Sequence, residues 1–237
     1  VRRALAGYYG LVSQTDAHIG NILHALDVTG LAATTRVVYT SDHGDNLGAR
    51  GLWGKSTMYE ESAGVPLIVA GEGIPAARTC AAPASHVDVY PFVLDCGGAP
   101  APADAQRPGV NLADLARGAT PDRCVLSEYH ATTAVAGAFM LRCGSWKYVH
   151  YVAYPPQLFD LARDPEELHD VAADPACADA LAHCRQRLFA LLDPNEVDAR
   201  AKARQAALLA RYGGRDAALA RGDLGFSPAP GGKPDID

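Results

Sequence analysis

Asp42 and His43 stand side by side where a short β-branched run, Arg36-Val37-Val38-Tyr39-Thr40, gives way to the polar loop Ser41-Asp42-His43-Gly44-Asp45. A carboxylate and an imidazole in sequence can both face one divalent cation if the backbone turns, and Gly44 permits the turn. Asp–His pairs are common, so spacing alone leaves a second account open, in which Asp42 caps a turn and His43 is solvated. Twelve residues beyond His43 comes Lys55, within Gly51-Leu52-Trp53-Gly54-Lys55-Ser56-Thr57-Met58-Tyr59-Glu60. Gly54-Lys55-Ser56 looks superficially like a phosphate loop, but Ala49 stands where the first glycine would have to be, and the Walker pattern fails. A cation between apolar Trp53 and Met58 could bind a transferring anionic group and neutralise the leaving oxygen. The bland alternative is a solvated surface lysine.

The elements around these residues alternate. Apolar Leu11, Val12, Ile19, Ile22, Leu23 and Leu26 recur at helical spacing from Ala4 to about Val28, with Gly30 as a stop signal. Residues 36–40 read as a buried strand, and the loop that follows occupies the carboxyl end of that strand, where open α/β sheets bind their ligands. A second unit repeats the pattern: a short helix over 57–63, the apolar strand Val65-Pro66-Leu67-Ile68-Val69-Ala70, and a helix from His86 to Cys96 that buries Val87, Tyr90, Val93 and Leu94. Residues 97–123, rich in Pro, Ala and Gly, read as a surface excursion with a short helix near Leu112 to Arg117. This grammar is that of a doubly wound α/β sheet.

From Cys124 onward strands follow one another: Cys124 to Tyr129, a hairpin of Ala138–Cys143 and Trp146–Val152 around Gly144-Ser145, then Gln157 to Leu161. A small antiparallel α+β subdomain is therefore expected over 124–194, with a helix from Ala178 to Leu192 packing Leu181, Leu188, Leu191 and Leu192. Residues 1–123 form the α/β part, and 195–237 a helix (Glu196 to Tyr212) with an extended Gly/Pro tail.

Composition sets outer bounds. Of the 237 residues 49% are apolar, enough for a substantial core, and the net charge of −6 without a basic stripe argues against a nucleic-acid partner. No apolar run approaches the ~18 residues of a membrane span. Cys80, Cys96, Cys124, Cys143, Cys177 and Cys184 show no C-x-x-C spacing and read as reduced, mostly buried thiols, which leans towards a cytoplasmic location.

The run from Ser41 to Glu60, Ser-Asp-His-Gly-Asp-x-Leu-Gly-x-Arg-Gly-Leu-Trp-x-Lys-x-x-x-x-Glu, resembles the sulfatase family of the alkaline-phosphatase-like superfamily. It is most similar to the branch of choline-sulfatases and phosphonate monoester hydrolases. Tyr8-Tyr9-Gly10, Asp16, Val65-Pro66-Leu67-Ile68, Ser127-Glu128-Tyr129-His130, Trp146-Lys147-Tyr148, Leu158-Phe159-Asp160-Leu161 and Asp164-Pro165-Glu166-Glu167 fit the same family. The resemblance implies the C-terminal part of a doubly wound alkaline-phosphatase-like sheet with a small antiparallel subdomain. It implies Asp42 and His43 as metal ligands for Ca²⁺ or Mn²⁺, and Lys55 as the group contacting sulfuryl or phosphoryl oxygens of a small-molecule ester. Asp45 and Glu60 are read as structural, Trp53 as packing. His130 is either a substrate-side group or a satisfied polar histidine.

The family's nucleophile is a formylglycine made in a Cys/Ser-x-Pro-x-Arg motif, and no cysteine or serine in this sequence begins such a motif. The expectation is a C-terminal portion that does not turn over alone, from a homo-oligomeric hydrolase without membrane or nucleic-acid partners. A sulfuric ester hydrolase, a phosphonate monoester or phosphodiester hydrolase, and an inactive fragment or pseudoenzyme acting in binding or assembly are the three readings it leaves.

Overall fold

The computed structural model describes residues 1–99, 107–119, 121–131 and 134–220. The tail expected over 222–237 lies outside them. The first helix, α1 (Arg2–Val28), ends where the Thr29 hydroxyl donates to the Ala25 carbonyl at 2.6 Å and Gly30 takes φ +73°. No residue of α1 is buried, so its apolar stripe lies open.

Strand β1 (Val37–Thr40) leads into the polar loop, then α2 (Glu60–Ala63) and β2 (Leu67–Ala70). The two strands pair antiparallel, Val37 opposite Ala70 and Thr40 opposite Leu67. The loop and the four-residue α2 between them return the chain alongside β1 in the opposite direction.

Beyond β2, Ser85 and Asp88 cap each other across a 3-10 turn, and α3 (Val89–Cys96) begins only after it. That late start sets the helix phase. Phe92 is the buried residue, while Val87, Tyr90 and Val93, expected inside, are exposed. Phe92 packs with Leu112, Ala113 and Leu115 of α4 (Leu112–Arg117) against Val38, Leu67 and Val69 of the strand pair. Fully buried Asp88 accepts from the Ser85 and Val110 backbone N–H groups and from Arg123, each at 2.8 Å. A buried carboxylate is tolerable only when satisfied in this way.

The second sheet is an antiparallel meander: β3 (Cys124–Tyr129), β4 (Ala138–Cys143), β5 (Trp146–Tyr151) and β6 (Gln157–Asp160) in chain order. Gly144, at φ +57°, makes the tight β4–β5 turn. One face packs Phe139, Leu141, Tyr148 and Leu158 against Cys184 and Leu188 of α5 (Ala178–Leu191). Leu181 and Leu192 pack beside them, whereas Leu191, also expected to pack, is 57% exposed. The opposite face carries Ala138, Met140 and Val149 and receives Met58 from the polar loop. Helix α6 (Pro194–Arg211) opens with Asp193 accepting from the Asn195 and Glu196 N–H groups, and α7 (Arg215–Ala220) follows.

The expectation of six reduced, mostly buried thiols is corrected. Cys124 and Cys143 are joined in a disulfide, and Cys80 and Cys96 are exposed. The two bonded cysteines are directly opposed in the β3–β4 register, with Cα atoms 4.4 Å apart, the spacing of a close cross-strand pair. Disulfides persist in oxidising compartments, so the cysteine argument for a cytoplasmic location falls away. Among the described residues no helix is long and apolar enough to cross a membrane.

Candidate functional site

Asp42, His43 and Lys55 come together just beyond the carboxyl end of β1. The His43 Nδ1 lies 2.9 Å from the Gly44 carbonyl, an acceptor only, so Nδ1 carries the proton and the neutral ring presents its lone pair at Nε2. Lys55 Nζ donates to that atom at 2.8 Å, and Asp42 Oδ2 lies 3.3 Å from it. The Asp42 carboxylate accepts from the His43 backbone N–H at 2.9 Å, and this bond above all holds its pKa below the usual carboxylate value. Its side chain is 83% exposed and that of His43 39%, so the cluster faces outward.

Gly44 serves the site differently from the turn expected of it. It is not among the positive-φ residues. Its role is close approach: a Cβ there would stand 2.0 Å from the Glu61 carbonyl oxygen, while its N–H donates to the Ser62 carbonyl at 2.8 Å. The left-handed backbone lies further on, at Leu47, Gly48, Arg50, Gly51, Gly54 and Ser56. Three of these are not glycine, and such residues persist only where surroundings over-determine the loop.

The surroundings are identifiable. Asp45 Oδ1 accepts from Leu47 N at 2.8 Å and Gly54 N at 3.2 Å, closing the loop on itself. Buried Asn46 donates twice to the Gly54 carbonyl and accepts from Thr57. Trp53 is 47% exposed and lies against Gly48. Arg50 stacks over Tyr59 at 4.1 Å, pairs with Glu61 at 2.8 Å and donates to the Glu166 carbonyl. Tyr129, at the end of β3, donates to the Ser56 hydroxyl at 2.8 Å, which fixes the residue beside Lys55.

His130 sits apart in its contacts: its ring meets Glu128 at 3.3 Å and the edge of Phe139, and its carbonyl accepts from Gln205 of α6. Sequence reasoning missed its neighbour Tyr129, although alternation along β3 places Val125, Ser127 and Tyr129 on one face. A cleft of about 710 Å³ opens nearby, lined by Thr40, Glu60, Ile68, His86, Ser127 and Arg142 among others. Asp42, His43 and Lys55 do not line it.

Once Lys55 leaves the Nε2 lone pair, an imidazole beside an exposed carboxylate suits a divalent metal, as a nitrogen-plus-oxygen donor pair. Among the described residues no group of three or more His, Cys, Asp or Glu side chains is placed to hold one. The pair fits part of a coordination sphere, with the remaining donors to come from elsewhere.

Residues 2–99 match the family model described as "Sulfatase". Arylsulfatase K of Gallus gallus is 40% identical over 185 residues, spanning 73% of this chain and 34% of that protein. Choline-sulfatase of Rhizobium meliloti is 39% identical over 178 residues, with 74% and 34% covered. Among solved structures, phosphonate monoester hydrolase of Agrobacterium radiobacter superposes with a TM-score of 0.66 at 28% identity, over 78% of this chain and 40% of that one. The chain thus spans about a third of the length of the curated relatives it matches.

Proposed function

Because residues 2–99 belong to the sulfatase family, we propose that this chain is the C-terminal portion of a metal-dependent sulfuric ester hydrolase. The carrying observation is the convergence of Asp42, His43 and Lys55 at the end of β1. Asp42 and His43 would hold a divalent cation, Ca²⁺ or Mn²⁺, whose Lewis acidity polarises an ester oxygen. The formylglycine nucleophile would be supplied by sequence outside these 237 residues.

In this reading the chain's own residues bind and orient. Gly44, through its carbonyl, fixes the His43 tautomer that leaves the lone pair at Nε2, where Lys55 Nζ now donates and from which it would withdraw to admit a cation. The Lys55 ammonium balances negative charge on the transferred group and on the leaving oxygen. Tyr129, through Ser56, holds the backbone from which Lys55 reaches. His130 would lie at the substrate side only as a rim residue, since its contacts tie it to Glu128, Phe139 and α6.

The decisive assay uses the whole polypeptide that carries this chain. Lys55→Ala should cut turnover of an aryl sulfate by about 10²-fold or more, as loss of a preorganised charge stabiliser does. Unchanged turnover would remove Lys55 from the site. The similarity to a phosphonate monoester hydrolase and the nitrogen donor of His43, which favours Mn²⁺, support a second reading as a phosphonate monoester or phosphodiester hydrolase. The ratio of turnover on an aryl sulfate to that on an aryl phosphonate monoester separates the two.

A further inference from the structure

Lys147, the second residue of β5, has no exposed side-chain surface and lies on the sheet face turned towards the site loop. Its ammonium donates to Glu60 Oε1 at 2.9 Å. It also stands 2.8 Å from Glu167 Oε1, an ion pair whose angle falls outside hydrogen-bond geometry. Glu167, likewise without exposed side-chain surface, accepts at its other oxygen from the Glu60 backbone N–H at 2.6 Å. The first N–H of α2 and the first side chain of α2 are thus both held from the four-stranded sheet and the turn that follows it.

Two residues further along α2, the Ser62 carbonyl accepts from Gly44 N–H at 2.8 Å, and the Gly44 carbonyl in turn accepts from His43 Nδ1 at 2.9 Å. Gly44 has no room to adjust, because α2 backbone already fills the space where its Cβ would be. Any displacement of α2 therefore reaches the group that sets the His43 tautomer and ring direction. A short helix cannot hold itself in place, since four residues complete barely one turn.

We propose that Lys147 is a positioning residue for His43: through Glu60 and Glu167 it fixes α2, and α2 fixes the Gly44 carbonyl that orients the imidazole. This rests on the reading of His43 as a metal ligand. The chain of contacts also separates two roles that a buried lysine can play. If Lys147 only holds the fold together, replacing the charged trio by neutral groups of similar size costs little, as buried ion pairs often do. If it positions His43, the same replacement leaves the protein folded but the ligand loose.

The test uses the whole polypeptide carrying this chain and three variants: Lys147→Met combined with Glu60→Gln and Glu167→Gln, the milder Glu167→Gln alone, and His43→Ala as a control. Mn²⁺ affinity is read by EPR, the His43 ring by ¹⁵N NMR at fixed pH, and folding by thermal melting. The triple variant is expected to melt within about 5 °C of the parent, yet bind Mn²⁺ about 10-fold more weakly, with the His43 Nδ1–H tautomer signature broadened or lost. Aryl sulfate turnover should fall by a similar factor with KM little changed. Should the triple variant fail to fold, Glu167→Gln decides through the same His43 signature. Parent-like Mn²⁺ affinity and an unaltered His43 signature in a folded variant overturn the proposal. In that event a His43→Ala variant that has lost Mn²⁺ leaves the metal-ligand reading standing, whereas one that keeps it removes both.

Discussion

The two sheets among the described residues are finished to different degrees. In the four-stranded meander Phe139, Leu141 and Leu158, like Leu188 of α5 packed on them, have no exposed surface, and every strand has a partner in chain order. In the first region α1 buries nothing, Tyr39 and Ile68 stand exposed on the strand pair, and the site residues lie at the surface. Yet Asp42, His43 and Lys55 sit in the less finished region. Its loop is stabilised from the other one, by Met58 against Met140 and Val149, by Tyr129 on Ser56, by Glu166 under Arg50 and by Lys147 between Glu60 and Glu167. A well-packed sheet serves here as the floor on which a strained loop is set, which is how a site on a loop acquires rigid geometry.

The largest effects should fall on the meander. Phe139→Ala, which opens a cavity beside Leu141 and α5, should cost about 3–5 kcal/mol in denaturant unfolding. The matching truncation in α1, Leu23→Ala at a 42% exposed residue, should stay within about 0.5 kcal/mol. Equal costs at the two positions would erase the contrast between regions.

Next in size is the disulfide. Its sequence separation of 19 residues corresponds to about 3 kcal/mol by loop closure. Reductant, or Cys124→Ser with Cys143→Ser, should lower the melting temperature of the meander by several degrees. Melting unaffected by reductant would mean that the β3–β4 ladder holds the same constraint without it.

The smallest effect is a pH dependence. His150 packs between Phe139 and Phe189 and lies 3.2 Å from the Tyr148 hydroxyl; burial, aided by the Arg185 cation, lowers its pKa. The folded state therefore binds its proton less readily than the unfolded chain. Its contribution is fully present above the unfolded value of about 6.5 and is lost as pH falls through the lower folded value. His150→Phe should flatten the fall in melting temperature between about pH 7 and pH 5. An unchanged slope would assign that fall to other groups, with Asp198, held low by Lys202 and Gly137 N–H, acting at more acid pH.

Much of this was visible in the chain of residues. Cys124–Tyr129, Leu112–Arg117 and the Gly144-Ser145 hairpin fall where local alternation and turn chemistry put them, because neighbours in sequence decide them. The motif from Ser41 to Glu60 brought Asp42, His43 and Lys55 to notice, and the fold does gather them. What stayed hidden depends on register and distance. Cys124 meets Cys143 only through the β3–β4 pairing, and β2 runs antiparallel to β1 across a 26-residue connection in which no local pattern sets the direction. The exposure of Val87, Tyr90 and Val93 follows from a helix phase set by the Ser85–Asp88 cap. Lys147 did leave a trace, a lysine inside Trp146-Lys147-Tyr148-Val149 beside buried Tyr148 and Val149. Its partners lie too far along the chain for any local pattern to name.

That distance has a consequence for how the protein is made. Glu60 waits for Lys147, 87 residues downstream, and for Glu167, 107 residues downstream. At ribosomal rates of about 5–20 residues per second, the loop bearing Asp42, His43 and Lys55 emerges roughly 5–20 s before its last anchor is synthesised. The loop thus leaves the ribosome well before the anchors that give it its shape. Nascent chains arrested before residue 167 should carry that loop open to chaperones and proteases.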